Sequence, residues 1–523
     1  MRAFVLGACV ALLAAAPAAA QSYFNTRHAL AGGFSGFTTL LPDGAGYVAS
    51  GQIAAPMPTS GDLALAFFDS LGQLRHTMLY TQPGLAYYAA SNGLHRLPDG
   101  GMLLVGSQEG GGAPTQGRLW RFDAAGDTLW TRTYRSPLFL VPLALRRLPG
   151  GDYVLAGTQQ RAPGRSANDI LLLRTDSLGH ERWRRTYPVG LWAAAYEVLA
   201  TADGGLLLTG NFRVRDPSVL NDYDGIVMKL DSLGAVEWQY IFGRRFFDSA
   251  GTGIQTPDGG YLVGGSWSDT TITISYHQTR PVLIKLDAQG REQWRRRYGP
   301  LRTNTESYRL HALPDGSYLL AGQMGDPTQT PVGGYTSPVG FLLNVCPDGD
   351  SLWMRSYRLL QGADSKNYLR DVVPTPDGGF AGAGFVHVRP PDTGTPDAWL
   401  FKTDRSGHLV PGQPAASLVC VVGLGPDDNG GGGTGGGVEV FPIPSPDGRF
   451  TLRCGLRIGE AAAATVTAEV LDATGRAVMR ARRIPPGIEA VLDLRAQPAG
   501  MYALRLAWAD GRRATRRLLV SGP

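Results

Sequence analysis

The sequence predicts an all-β protein, a seven-bladed β-propeller followed by a small immunoglobulin-like β-sandwich, and three observations carry the prediction. A Pro-Asp-Gly-like turn followed by an apolar run ending in Gly starts at Leu41, Leu97, Leu148, Thr201, Thr256, Leu313 and Thr375. Spacings of roughly 50 to 60 residues are those of propeller blades. Later in each copy comes a strand, an Asp-x-x-Gly turn and, in most copies, a Trp-x-x-x-Tyr phrase, as in Asp169 to Gly179 followed by Trp183 and Tyr187. Finally, 71 Gly and 36 Pro in 523 residues fit many short strands separated by tight turns.

From the N-terminus, Arg2, the apolar stretch from Phe4 to Ala16 and Ala18-Ala19-Ala20 read as a secretory signal peptide over residues 1–20. A lipoprotein cut before Cys9 would leave too short an apolar region ahead of it. No later apolar run approaches the length of about 20 residues that a spanning helix needs. Residues 21–423 form the propeller, 424–437 a Gly-rich linker and 438–523 a separate small β domain.

Each blade reads as four strands, for example Ala195 to Ala200, Leu206 to Thr209, Ile226 to Leu230 and Glu237 to Ile241. In the Asp-x-x-Gly turns Asp accepts hydrogen bonds from its own turn and Gly supplies positive φ. Trp and Tyr four residues apart lie on one face of the outer strand, and their recurrence predicts inter-blade core rather than a carbohydrate platform. The last copy stops at Asp404 to Gly407 without an outer strand. Residues 23–28 supply one, with Phe24 in the Trp slot and His28 in the Tyr slot, which closes the ring and removes its edge.

The formal net charge is +5, and residues 438–523 account for it with 13 Arg against 8 Asp plus Glu. The propeller is near neutral and lacks the basic stripe that nucleic acid requires. Cys346, Cys420 and Cys454 have no metal-ligand spacing and are expected as isolated thiols, with a Cys346–Cys420 pair as the alternative. Recurrent aspartates such as Asp43, Asp99, Asp258 and Asp377 read as turn residues because they repeat. Asn221 to Gly225 faintly resembles a calcium loop, but Asp224 has strand-start counterparts at Asp62, Asp169 and Asp397. His76 and His28 read as structural, and His277 and His387 lie in variable loops. No nucleophile elbow, phosphate loop or His-x-x-x-His pair occurs, so no catalytic residue, metal site or cofactor is expected.

Both short turns of a blade fall on one face of the disc, and the long, variable connections fall on the other, where specificity on repeat scaffolds resides. The candidate ligand-binding residues on that face are Trp192, Tyr196, Arg213, Arg215, Asp248 beside Phe247, Trp267, Tyr308 and Tyr368. Aromatic groups beside charges suit sugars or peptides.

In the C-terminal segment Phe441 to Phe450, including Pro444 and Gly448, then Asp472 to Arg476 with Gly475, then Gly500-Met501-Tyr502 and a basic final strand resemble the type A C-terminal sorting domain of the type IX secretion system. Ile443 stands where that family usually has Asn before Pro. The resemblance implies export across the periplasm and outer membrane of a Bacteroidetes-type cell, with the secretion machinery as partner and a secreted or cell-surface location. The blades likewise resemble kelch and quinoprotein-like repeats, a likeness that implies no shared activity or cofactor. The function expected is a surface binding module for extracellular glycan or protein. The alternatives are a polysaccharide hydrolase or lyase with a channel-centred site and a structural adhesion component.

Overall fold

The computed structural model describes residues 23–30, 34–54, 61–163, 167–213, 222–243, 247–273, 276–300, 304–329, 336–361, 365–387, 396–410, 438–441, 448–454, 466–472, 474–484, 489–498, 500–508 and 513–520. The expected signal peptide, the Gly-rich linker, Arg215 and Pro444 lie outside them. The described residues are all-β, with no helix among them.

Up to Thr403 the strands fall into consecutive antiparallel sets of four. The innermost strands are Phe34–Asp43, Leu85–Arg96, Leu140–Arg147, Trp192–Ala200, Ser249–Gln255, Glu306–Ala312 and Lys366–Pro374. Each lies against the next, and Lys366–Pro374 lies against Phe34–Asp43. The second, third and fourth sets also touch through single parallel bridges, Asn92 with Ala144 and Asn168 with Trp192. In the last set the outer strand is Phe24–His28, paired antiparallel with Asp397–Thr403.

The repeated phrases act as clasps between sets. Tyr134 Oη donates to the Gly179 carbonyl at 2.9 Å, Tyr187 to Gly234 at 2.6 Å, Tyr298 to Gly349 at 2.6 Å and Tyr357 to Gly407 at 2.7 Å. Tyr80 makes the same bond to Gly126 at 2.5 Å. Beside these bonds an aromatic ring sits flat on the turn glycine. A Cβ on Gly179 would come within 2.9 Å of the Trp130 ring, and its φ of +78° is left-handed. Only glycine meets both demands. At the N-terminal strand Phe24 covers Gly72 in the same manner.

Three of the Pro-Asp-Gly-like turns are held by a lysine from within their own sets. The buried ammonium of Lys229 pairs with Asp203, that of Lys285 with Asp258 and that of Lys402 with Asp377, each at 2.8 Å. Their carboxylates also accept the backbone N–H two residues on. Burial opposes this ionisation, but the Lys229, Thr201 and Gly205 donors hold Asp203 down at about 2.

Cys346 is disulfide-bonded, which corrects the isolated-thiol expectation for it. Its partner lies among residues whose side chains are not described, since it is the one cysteine that is.

The C-terminal segment forms two sheets. Val438–Phe441, Arg449–Cys454 and Glu489–Asp493 make one, and Ala477–Ile484, Val466–Leu471, Gly500–Trp508 and Arg513–Val520 the other. Phe450, Leu452, Val470, Leu492, Leu504 and Leu518 belong to one buried cluster that both sheets share.

Candidate functional site

The site begins with a bulge. In every innermost strand the register slips between the residue opposite the run-ending glycine and the next paired residue. The unpaired residues are Thr38, Leu143, Tyr196, Gly251, Tyr308 and Arg370, and in the second set a longer insertion of residues 90–93. The glycine opposite makes the slip possible. A Cβ on Gly210 would stand 2.0 Å from the Ala194 carbonyl oxygen, and one on Gly384 would stand 1.8 Å from that of Tyr368. A bulge re-aims side chains, and here it gathers groups from different sets.

At the bulge level Arg370 Nη1 donates to Tyr308 Oη at 2.6 Å, and Tyr308 Oη donates to Glu306. The Arg370 guanidinium also lies 5.3 Å from the Tyr308 ring centre, 5.6 Å from Tyr368 and 5.4 Å from Phe385. Tyr368 and Phe385 stack at 4.6 Å. Tyr196 Oη donates to Asn211 Oδ1 at 3.0 Å, and Gln323 Nε2 donates to Glu306 at 3.2 Å. Burial and then the Glu306 charge push the Tyr308 hydroxyl well above its ordinary range, although Arg370 pulls the other way, so it stays protonated as a donor.

Just beyond the bulges, towards the Pro-Asp-Gly turns, lies a second polar level. Asp371 is 1% exposed and accepts from Leu40 N at 2.7 Å and from Arg309 Nε at 2.5 Å. Arg309 reaches on to Asn92 Oδ1 of the second set and to the Ser91 carbonyl. Glu197 accepts from Thr252 Oγ1 at 3.2 Å and pairs with Arg146 at 3.5 Å. His311 Nε2 meets the Val372 carbonyl at 2.7 Å, so that nitrogen carries the proton. His95 Nε2 is buried without a partner, and burial together with Arg146 and Arg309 pulls its pKa down to about 3.

Of the sequence-predicted residues, the structure brings Tyr308 and Tyr368 together through Arg370, with Tyr196 on the next innermost strand but one. The others lie apart from that cluster. Trp192 meets Tyr223 edge to face at 5.8 Å, and Tyr223 meets Phe247 at 5.7 Å. The Arg213 carbonyl accepts from Leu191 N at 3.0 Å. Asp248 is fully buried and takes the Ser268 N–H at 2.7 Å. Trp267 stacks on Phe242 at 5.9 Å beneath the Arg295 guanidinium. Glu306, Arg370, Phe385 and the Arg309–Asp371 pair escaped the sequence reading. Their signal was a polar residue on an innermost strand near the glycine that ends the apolar run or, for Phe385, a bulky residue directly after that glycine on the second strand.

In the C-terminal sheets Gly448 and Gly475 have φ of +70° and +84°, and Phe450 is fully buried. Asp472 Oδ1 accepts from Thr474 N and Arg476 N at 3.0 Å, Gly500 opens a strand, and Tyr502 Oη donates to the Pro498 carbonyl at 2.7 Å. Among the described residues no three His, Cys, Asp or Glu side chains are placed to hold a metal ion.

No family model matches the chain, and no curated protein matches its sequence. Among solved structures, it is similar to a Synechocystis apocarotenoid oxygenase, at 10% identity and a TM-score of 0.38 over 73% of this chain and 94% of that one. It is similar to a β-fructofuranosidase of Bombyx mori at 10% identity and TM-score 0.31, over 73% and 91% of the two chains. An endo-arabinase of Bacteroides thetaiotaomicron aligns at 12% identity and TM-score 0.28, over 60% and 93%.

Proposed function

We propose that the chain is an exported seven-bladed propeller that binds an extracellular ligand, a glycan in first place, where its innermost strands converge. The observation that carries this reading is the Tyr308, Tyr368, Phe385, Arg370 and Glu306 cluster, half-buried and drawn from two neighbouring sets. Aromatic faces give a sugar ring a stacking surface, and a few fixed polar groups orient its hydroxyls. The count of seven is supported by the innermost strands, each against the next and the last against the first. Export rests on the Ala-rich N-terminal stretch and the type IX resemblance of residues 438–523. The Cys346 disulfide agrees with an oxidising compartment.

A glycan array and a pull-down with the mature chain test the binding reading. Ligand capture that is lost in Arg370→Ala supports it. No ligand at micromolar strength, or capture indifferent to Arg370→Ala, counts against it. Residues 438–523 fused to a periplasmic reporter should bring it to the surface of a cell with an intact type IX system and not of a secretion-deficient one.

Hydrolysis of a polysaccharide is the second reading, favoured by Glu197, Glu306 and Asp371 on innermost strands. Asp371 and Glu197 are already committed to Arg309 and Arg146, which leaves Glu306 as the carboxylate to test. Turnover that disappears in Glu306→Gln would select this reading over simple binding.

A further inference from the structure

The repeats supply their own comparison at each position, and one position stands out. Each run-ending glycine is paired with one residue of the third strand of its set. These residues are Ala64, Leu171, Ile226, Val282, Phe341 and Trp399, all buried. In the second set the residue opposite Gly106 is Arg118. A cation therefore occupies a slot that the fold fills with apolar groups everywhere else. Departures from a scaffold's own rule mark function more often than packing.

Arg118 is not neutralised. Its guanidinium donates to Gln108 Oε1 at 2.6 Å, Thr133 Oγ1 at 3.3 Å and Thr131 Oγ1 at 3.1 Å, all uncharged acceptors. It also lies over the Tyr87 and Trp120 rings, 5.2 and 5.6 Å from their centres. Its Nε is buried without an acceptor, and no carboxylate among the described residues pairs with it. The bland account, a cation held by π faces and hydroxyls, explains how the charge is tolerated. It does not explain why a charge is there, since leucine would serve the packing and a partly desolvated cation without an anion is costly.

Arg118 opens onto space. A cavity of about 340 Å³ lies between the first and second sets, walled by Tyr80, Gln82, Tyr87, Arg118, Trp120 and Thr131. Its size admits one sugar ring with its substituents. Hydroxyls and amides line it, the Leu79 side chain is exposed at its rim, and the arginine supplies its charge. A planar guanidinium fork is matched by a carboxylate, and hydroxyl and amide groups are matched by sugar hydroxyls.

We propose that this cleft is a second ligand site, separate from the Arg370 cluster, that takes an acidic sugar residue with its carboxylate on Arg118. The test uses the mature chain, trigalacturonate, the same trisaccharide as its neutral methyl ester, and calorimetric titration. Trigalacturonate is expected to bind at least tenfold tighter than the ester, and Arg118→Leu is expected to abolish the difference. Without ligand, Arg118→Leu is expected to melt no lower than the parent, because leucine is what the third set places there. The acid-against-ester comparison needs no variant, and Arg118→Lys, which keeps the charge without the fork, should weaken binding several-fold. Equal affinity for acid and ester overturns the proposal, as does full binding by Arg118→Leu. Acetate competing mole for mole with the trisaccharide overturns its sugar part. Arg370→Ala is expected to leave the Arg118-dependent difference between acid and ester unchanged, whatever it does to capture of other ligands at the first site.

Discussion

Replacing Tyr357 by Phe removes one oxygen and nothing else from a clasp between the last two sets. The ring is 2% exposed and stacks on Phe401 at 4.9 Å with 9° between the planes, so Phe keeps its seat. What disappears is the 2.7 Å bond to the Gly407 carbonyl, for which no other donor is found among the described residues. A neutral hydrogen bond is worth about 1 kcal/mol, and a buried acceptor left dry raises the loss to about 3 kcal/mol. With an unfolding entropy of about 2.1 cal/mol/K per residue over roughly 390 residues, a loss of about 2 kcal/mol lowers the melting temperature by about 2–3 °C. Tyr80, Tyr134, Tyr187 and Tyr298 hold the same bond in other sheets. Losses at separated sites add, so the five-fold Tyr→Phe variant loses about 10 kcal/mol, as much as a domain's whole stability. Differential scanning calorimetry of the single and five-fold variants measures this. A five-fold variant that melts with the parent would refute the clasp.

Three further outcomes follow from the innermost strands. Asp371→Asn strands Arg309, and denaturant titration should show a loss of about 3–5 kcal/mol, partly recovered in the double variant Asp371→Leu/Arg309→Met. His95 has a folded pKa near 3 against 6.5, so the unfolded chain protonates first; its contribution is intact above pH 6.5 and falls away as pH drops towards 3. At pH 5 that amounts to about 2 kcal/mol, which unfolding of His95→Gln at pH 5 and 7.5 should not show. Gly210→Ala sets a Cβ 2.0 Å from the Ala194 carbonyl, so the Tyr196 bulge must close or the strand must part; a fall in stability of about 3 kcal/mol or more is expected in the same titration.

The repeats were legible because they obey local chemistry. An Asp that binds its own turn and a Gly at positive φ leave the same letters at every copy, and so does an aromatic pair four residues apart. The glycine that ends each run was equally visible, but its purpose was not. A bulge adds one residue to a strand without disturbing the apolar alternation on either side, so only the pairing with the neighbouring strand reveals that Tyr196, Tyr308 and Arg370 are displaced. The contacts between innermost strands of distant sets are harder still. Arg309 and Asn92 are separated by 217 residues, and nothing in either neighbourhood points to the other. Loop-face aromatics such as Trp267 read as ligands by composition alone, while its place beneath Arg295 and beside Phe242 depends on the outer strands of its own set and of the preceding one. Arg118 was visible as a residue and became a candidate once register showed which letters occupy the same slot.

The pairing of Phe24–His28 with Asp397–Thr403 joins segments whose contacts span 374 residues, as between Thr26 and Leu400. Closing so long a loop is entropically dearer than closing a hairpin of about 20 residues by roughly 2.5 kcal/mol. The seam is therefore the last contact to form and the first to open. During refolding the other sheets can assemble from neighbouring chain, while the final one waits with three strands and a bare edge. Mechanical or thermal opening should start there, with the two ends of the domain parting before any sheet in between unravels.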